Sequence, residues 1–266
     1  MKKVTIILIG PLYMYQELLN GLIHSLKIMG YDPETIHHPQ PRPDFKSKAK
    51  LNIIISGKGF IPNKDNINIL IEVDQNLRRR DPEYIKEQYH NYTKILDIFK
   101  EQATDFPNGE YFPIGYSDAF SLNSTPDSKY TQDVLHFGQV IPGWRRERLI
   151  TKFNIHNINL FGHSRDQYIT NAKINVTLRK HEDYYFAPIH ALLILCKGKL
   201  LLQEKCSEYG VYADSIIEFT EDTYLDTVNY WLQNKEARVK FETDARDNLK
   251  THHDMTKYLK EALYGI

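Results

Sequence analysis

The chain has 266 residues, enough for one large α/β domain or for two of roughly 130 residues each. Its 34 Lys and Arg balance 34 Asp and Glu, so no global field draws in polyanions, which argues against extensive non-specific binding to DNA but leaves room for a local basic groove. With 41% hydrophobic and 26% charged residues the composition is globular, and no segment approaches the ~20 consecutive apolar residues that span a bilayer.

The opening MKKVTIILIG has a charged start, but its apolar run is only about seven residues long and no small-residue cleavage site follows. It reads as a buried strand, Val4–Ile9, and a cytoplasmic location is expected. Gly10-Pro11 breaks it. Leu18, Leu19, Leu22, Ile23 and Leu26 then follow the helical period up to Gly30. Further strands are expected at Thr35–His38, Leu51–Ser56, Ile67–Val73, Lys94–Phe99 and Tyr111–Ile114, with a Pro-rich connection through Pro43 and a helix from Asp81 to Tyr89. Residues 117–132 are polar and without period, and form the expected linker.

Beyond it the alternation restarts. Strands are expected at Val134–Phe137, Ile158–Phe161, Ile174–Leu178, 199–203 and Ile216–Phe219. Helices are expected at Trp144–Phe153, just after the strand that ends at Phe161, and at 188–197. Three charged amphipathic helices run from Asp222 to the end. Each half therefore reads as a parallel sheet flanked by helices. The predicted fold class is α/β, with two Rossmann-like domains facing a central cleft: residues 1–120, residues 133–250, and a C-terminal helix at 251–266 that packs back on the first domain. No repeat is visible in the sequence. Cys196 and Cys206 are expected to be separate thiols in a reducing interior.

Ligands of open α/β folds bind outside the carboxyl ends of the strands, so the residues that follow strands carry the functional information. After Phe137 come Gly138, which permits a tight turn, and Arg145 and Arg146 at a helix start, an arrangement suited to phosphate. A solvated Arg pair is the other reading. After Phe161, Gly162 allows close backbone approach, and His163, Ser164 and Arg165 either offer donors at the cleft or form a helix N-cap at Ser164 with exposed neighbours. Pro188 suits the first helical turn and places His190 there, beside unpaired amides or, alternatively, as a core histidine between Ile189 and Leu192. Glu204 ends a strand, where a carboxylate can bind a ribose diol or simply be solvated.

On the other side, Asp74 closes "INILIEVD" and is the candidate general base, with a capping role as its rival. Gly10, Tyr13 and Tyr15 follow the first strand and are candidates to line an acceptor pocket. Arg78, with Arg79 and Arg80, is either a solvated face or a contact to an anionic acceptor. No Asp-x-Asp ends a strand, and no His/Cys cluster has metal-ligand spacing, so chemistry without a metal is expected.

The collinear set "YFPIGYSDAF", "VLHFGQVIPGWRRERL", "INLFG", "AKINVTL", "HALLILCKGKLLLQE" and "SIIEFTEDTYLDTVNYWLQNKEARVKFETDARDNL" resembles the C-terminal half of the GT-B glycosyltransferases, particularly the CgeB-like spore-maturation group. The resemblance covers residues 111–250. It implies a nucleoside-diphosphate sugar as co-substrate, bound in the C-terminal domain, and an acceptor in the N-terminal one: a glycan, a small molecule, a protein or a hydroxylated base in DNA. Arg145 or Arg146 and the start of helix 188–197 would hold the diphosphate, His163 would lie near the donor, and Glu204 near its ribose. Many retaining members carry a Glu where this chain has Leu193, so Glu204 is the alternative partner of the sugar ring. Nucleotide-sugar epimerases share the two-domain plan, and a non-catalytic binding module is the third possibility.

Overall fold

The computed structural model describes residues 2–39, 49–56, 60, 62–73, 89–106, 108–121, 127–179 and 186–266, without the side chains of residues 13 and 14. Asp74, the arginines at 78–80, the helix expected at residues 81–88 and most of the Pro-rich connection lie outside the described residues. The chain divides into two units, Met1–Ile114 together with Met255–Ile266, and Gly115–Asp254.

The first unit is a parallel sheet of β1 (Lys2–Ile9), β2 (Tyr31–His38), β3 (Leu51–Ile55), β4 (Ile67–Glu72), β5 (Lys94–Asp97) and β6 (Gly109–Tyr111), in the order β2-β1-β3-β4-β5-β6. The apolar runs of β1, β3 and β4 are buried on both faces, as a parallel sheet requires. β2 lies at the edge. Its burial alternates and it tolerates Pro33, which could not donate to a central ladder. Asn52 donates to the Oδ1 of Asn68 at 3.0 Å across β3 and β4, where the two residues are register partners, so a slip would strand two buried amides. Helix α1 (Leu12–Ile28) buries Leu18, Leu22 and Leu26, and the short α2 is Lys100–Ala103. The strand expected at Tyr111–Ile114 instead begins at Gly109. A Cβ on Gly109 would stand 1.9 Å from the Ala103 carbonyl oxygen, so only glycine lets the strand start there.

The second unit contains β7 (Gln132–Phe137), β8 (His156–Ile158), β9 (Ala172–Thr177), β10 (Leu201–Glu204) and β11 (Ile217–Phe219), parallel in the order β11-β10-β9-β7-β8. Its helices are α3 (Asp118–Ser121), α4 (Arg145–Phe153), α5 (Gly162–Asn171), α6 (Pro188–Leu195), α7 (Tyr224–Gln233) and α8 (Lys235–His252). The period-free stretch at 117–132 is part of this unit: Phe120 is buried, and its carbonyl accepts from Lys197 Nζ at 2.7 Å. β8 stops at Ile158 rather than running to Phe161, because β7 offers it partners only as far as Phe137, and Leu160 and Phe161 are exposed. Cys196 and Cys206 are both free and buried. Among the described residues no helix is long and apolar enough to cross a membrane.

Within each unit the first strand lies between the second and the third, so the chain reverses direction across the sheet at that strand. Both first strands end in a glycine with positive φ, Gly10 at 109° and Gly138 at 129°. Each glycine N–H donates at 3.0 Å to the end of the neighbouring second strand, Gly10 to the His38 carbonyl and Gly138 to the Ile158 carbonyl. The same turn thus marks the switch point of both sheets, the place where open α/β folds bind ligands.

The final helix, α9 (Met255–Ala262), belongs to the first unit and packs on α1, where Thr256 Oγ1 and Ser25 Oγ are 3.3 Å apart. Lys94 Nζ donates to the Ala262 carbonyl at 3.0 Å.

Two carboxylates stand side by side at the carboxyl edge of the first sheet. Glu72 and Asp97 are register partners in β4 and β5, with 2% and 0% exposure. Glu72 accepts from Tyr89 Oη and from the Val73 N–H, each at 3.0 Å, and Asp97 accepts from the Phe99 N–H at 2.7 Å. Burial pushes the Asp97 carboxyl up to about 8; the Phe99 N–H opposes that and the Glu72 charge adds to it. The folded value lies above the unfolded one, so the stability tied to this proton is fully present below about pH 4 and is lost as the pH rises through about 8. Asp97→Asn should remove this slope. The difference in unfolding free energy, variant minus wild type, is expected to grow between about pH 5 and about pH 8, with a limiting slope of about 1.4 kcal/mol per pH unit. A difference that stays flat with pH would show that Asp97 is ionised throughout.

Candidate functional site

The site is built outward from Gly138. β7 delivers His136 and Phe137 to the carboxyl edge of the second sheet, and the positive φ of Gly138 turns the chain away without a side chain. A Cβ placed there would stand 3.6 Å from His190 Cε1, 3.7 Å from Arg146 Nη1 and 3.9 Å from His136 Nε2. Three polar side chains from β7, α4 and α6 therefore converge on one point. α4 starts at Arg145 because the loop before it is closed by the Gly143 N–H on Glu147 Oε2 at 2.7 Å, and it stops at Asn154 in the left-handed conformation. Arg146, in its first turn, donates from Nη1 to the Gln139 carbonyl at 2.9 Å and from Nη2 to the Leu178 carbonyl at 2.8 Å.

α6 begins at Pro188, whose missing N–H costs nothing at that position, and it is buried along its length, with Ile189 and His190 keeping some exposure at its start. The His190 ring packs on Phe137 with centroids 4.8 Å apart. Burial first, then the Arg146 and Arg165 charges, push His190 down to about 3, so its imidazole is neutral at the positive end of a helix. Behind it, Arg165 lies over the Phe137 ring at 5.8 Å and is paired with Asp166 at 2.9 Å. Asp166 also pairs with Lys197 at 3.2 Å, so two buried cations share one carboxylate.

A second group lies at the end of β10. Glu204, 2% exposed, is gripped by the Arg145 guanidinium, with Nη1 to Oε2 at 2.8 Å and Nη2 on Oε1. The Arg179 N–H donates to Oε2 at 2.9 Å, and Arg179 Nη2 reaches Oε1 at 3.4 Å. One carboxylate thus ties the end of β10 to the start of α4 and to the residues after β9. Adjacent arginines divide the work: Arg145 faces Glu204, and Arg146 faces Gly138.

Of the residues singled out from the sequence, Gly138, Arg146 and His190 come together, and Arg145 and Glu204 come together. His163 is exposed in the first turn of α5, 3.2 Å from Gln167 Nε2 of its own helix. Gly10 sits at the switch point of the first unit, where its carbonyl meets His37 Nε2 at 2.7 Å. Tyr13 is in α1, with its side chain outside the described residues, as are Asp74 and Arg78 altogether. The sequence reading missed His136 and Arg179; it offered Arg165 as a donor at the cleft, and the structure buries it in a pair with Asp166. His136 was hidden inside an apolar strand, and Arg179 only two residues beyond one; position after a strand was the usable signal for the latter. Among the described residues no three His, Cys, Asp or Glu side chains group as metal ligands. Removing the charge at Glu204 leaves Arg145 and Arg179 opposed, so Glu204→Gln is expected to lower unfolding stability by roughly 3 kcal/mol in urea denaturation. A loss below about 0.5 kcal/mol, the scale of a surface change, would show that the clasp is not structural.

No protein-family model matches the sequence, and no curated protein matches it by sequence. Solved structures do. An alpha-glucosyltransferase in complex with UDP and a 13-mer DNA containing a central A:G mismatch superposes with a TM-score of 0.63 at 11% identity, over 98% of both chains. OtsA superposes at 0.59 with 8% identity over 100% of both chains. The spinosyn rhamnosyltransferase SpnG, complexed with thymidine diphosphate, superposes at 0.50 with 9% identity over 98% of this chain and 100% of that one. At these identities the likeness is one of fold: two parallel-sheet, Rossmann-like domains of the GT-B glycosyltransferase type.

Proposed function

We propose that the chain is a glycosyltransferase that moves a sugar from a nucleoside diphosphate to an acceptor hydroxyl. The observation that carries this reading is the convergence of Arg146, His190 and the first turn of α6 on Gly138, at the switch point of the second sheet. A diphosphate placed there meets a guanidinium fork, unpaired helix amides and a neutral imidazole able to donate. The neighbouring structures that carry UDP or thymidine diphosphate support the same ligand class. Arg145 can exchange its grip on Glu204 for a phosphate oxygen, which leaves Glu204 to accept from hydroxyls of the ribose or of the transferred sugar.

In the reaction the acceptor oxygen forms a bond to the anomeric carbon while the bond from that carbon to the phosphate oxygen breaks. The electron pair leaves with the diphosphate, whose charge the arginines and helix amides stabilise, so no metal is needed. Asp74 takes the acceptor proton, and Gly10, Tyr13 and Arg78 contact the acceptor; His163 contributes near the donor. Acceptors worth testing are glycans, small molecules, proteins and DNA, the last because one neighbour is itself in complex with DNA.

Nucleoside diphosphates should raise the melting temperature, by the equivalent of about 2.7 kcal/mol at a hundredfold excess over the dissociation constant. Arg146→Ala and His190→Ala should each weaken nucleoside diphosphate binding about tenfold or more, the scale of one charge-assisted hydrogen bond. Sugar transfer is then read with a labelled donor in the presence of a chelator. A chain that neither binds any nucleoside diphosphate nor hydrolyses or transfers from any donor sinks the proposal, and an epimerised donor formed without acceptor would move it to the epimerases.

A further inference from the structure

His136 is not used by the donor site as proposed so far, yet it is buried beside that site. It is the penultimate residue of β7 and 1% exposed. Its Nδ1 lies 2.9 Å from the Val176 carbonyl of β9, its register partner across the switch point. A carbonyl only accepts, so Nδ1 carries the ring hydrogen. Burial, then the charge of Arg146, push the imidazole down to about 3, so the ring is neutral under any ordinary condition. Nε2 is therefore a bare lone pair. It is buried and has no hydrogen-bond partner among the described residues, an expensive state that an apolar residue in the same strand would avoid.

Nε2 lies 3.9 Å from the place a Cβ on Gly138 would take, the same point that has Arg146 Nη1 at 3.7 Å and His190 Cε1 at 3.6 Å. An ionised phosphate oxygen is itself only an acceptor and would be repelled by Nε2. What fits is a group that donates to Nε2 while a neighbouring oxygen takes Arg146. Arg146 Nη1 donates to the Gln139 carbonyl in an exposed hydrogen bond, one that a phosphate oxygen can replace.

We propose that His136 Nε2 accepts a hydrogen bond from a hydroxyl of the nucleoside-diphosphate donor, and so selects donors that place a hydroxyl next to the diphosphate. This rests on the donor reading above. Two hydroxyl sources share that chemistry, the ribose and the transferred sugar.

The test is titration calorimetry of the full chain with UDP, its 2′- and 3′-deoxy analogues, UDP-glucose and inorganic pyrophosphate, on wild type, His136→Asn and His136→Gln. The Asn amide takes the place of Nδ1, keeps the bond to Val176 and removes the acceptor. The Gln amide oxygen reaches the place of Nε2 and restores it. For the ligand that supplies the hydroxyl, the Asn variant should bind about tenfold more weakly, and the Gln variant within about threefold of wild type. Pyrophosphate, which has no hydroxyl, should bind all three alike. If the ribose is the source, UDP shows the loss and one deoxy analogue binds wild type as weakly as UDP binds the Asn variant. If the sugar is the source, only UDP-glucose shows it. Equal losses in both variants for every ligand would reduce His136 to a strand residue. Proton uptake on binding, seen as heats that change with the ionisation enthalpy of the buffer, would mean that the ring charges onto phosphate, and this too would overturn the proposal. Wild type that binds pyrophosphate but no nucleotide removes the donor reading and this inference together, whereas nucleotide binding that is indifferent to position 136 removes only the inference.

Discussion

A carboxylate almost wholly removed from water must be paired, and Glu204 is paired on both oxygens. That single requirement fixes the second unit at its carboxyl edge. Arg145 cannot satisfy it unless α4 begins where it does, and the Arg179 amide cannot unless β9 ends in register with β10. Once Arg145 is committed to Glu204, the next residue around the helix, Arg146, is turned toward Gly138, where its guanidinium bridges the carbonyls of Gln139 and Leu178. The geometry of the candidate phosphate site is thus a by-product of satisfying one buried charge.

The two histidines at Gly138 answer the opposite requirement. A parallel sheet covered on both faces leaves little water near its strand ends, and cations lie close by in Arg146 and Arg165. Under those conditions an imidazole stays neutral and offers directional hydrogen bonds rather than charge, while the arginines supply the charge. The first unit shows the same logic with its sign reversed: Asp97, beside the ionisable Glu72, holds a proton that a solvated aspartate would release.

Much of the architecture was legible from the sequence, because a doubly covered strand has a simple composition. β1, β3 and β4 read as largely apolar runs, and Gly10 marks the end of β1 as Gly138 marks the end of β7. What the sequence could not carry was register. Glu72 and Asp97 are separated by a stretch of chain whose composition gives no hint that they become neighbours, and only the β4–β5 pairing makes them a pair. His136 looked like one polar letter in an apolar strand until β9 supplied the Val176 carbonyl. Apolar composition also misled at Leu160 and Phe161, which extend the strand in the sequence but lie exposed beyond it. The candidate site was legible where helix starts and strand ends coincide, at Arg145, Arg146, His190 and Glu204. It was illegible where the decisive atom is a backbone carbonyl from another strand.

The return of α9 to the first unit bears on how the molecule is made. Thr256 meets Ser25 across 231 residues of chain, and everything between them, including the whole of the second unit, is translated first. The second unit draws its elements from one continuous stretch and can complete its core as it emerges. The first unit cannot, because the side of α1 that receives α9 stays uncovered until Met255–Ala262 has been synthesised. During synthesis the unit that comes first in the chain is therefore the one that finishes last, and it is in that interval that a ribosome-bound chaperone or a slow codon run would have something to act on.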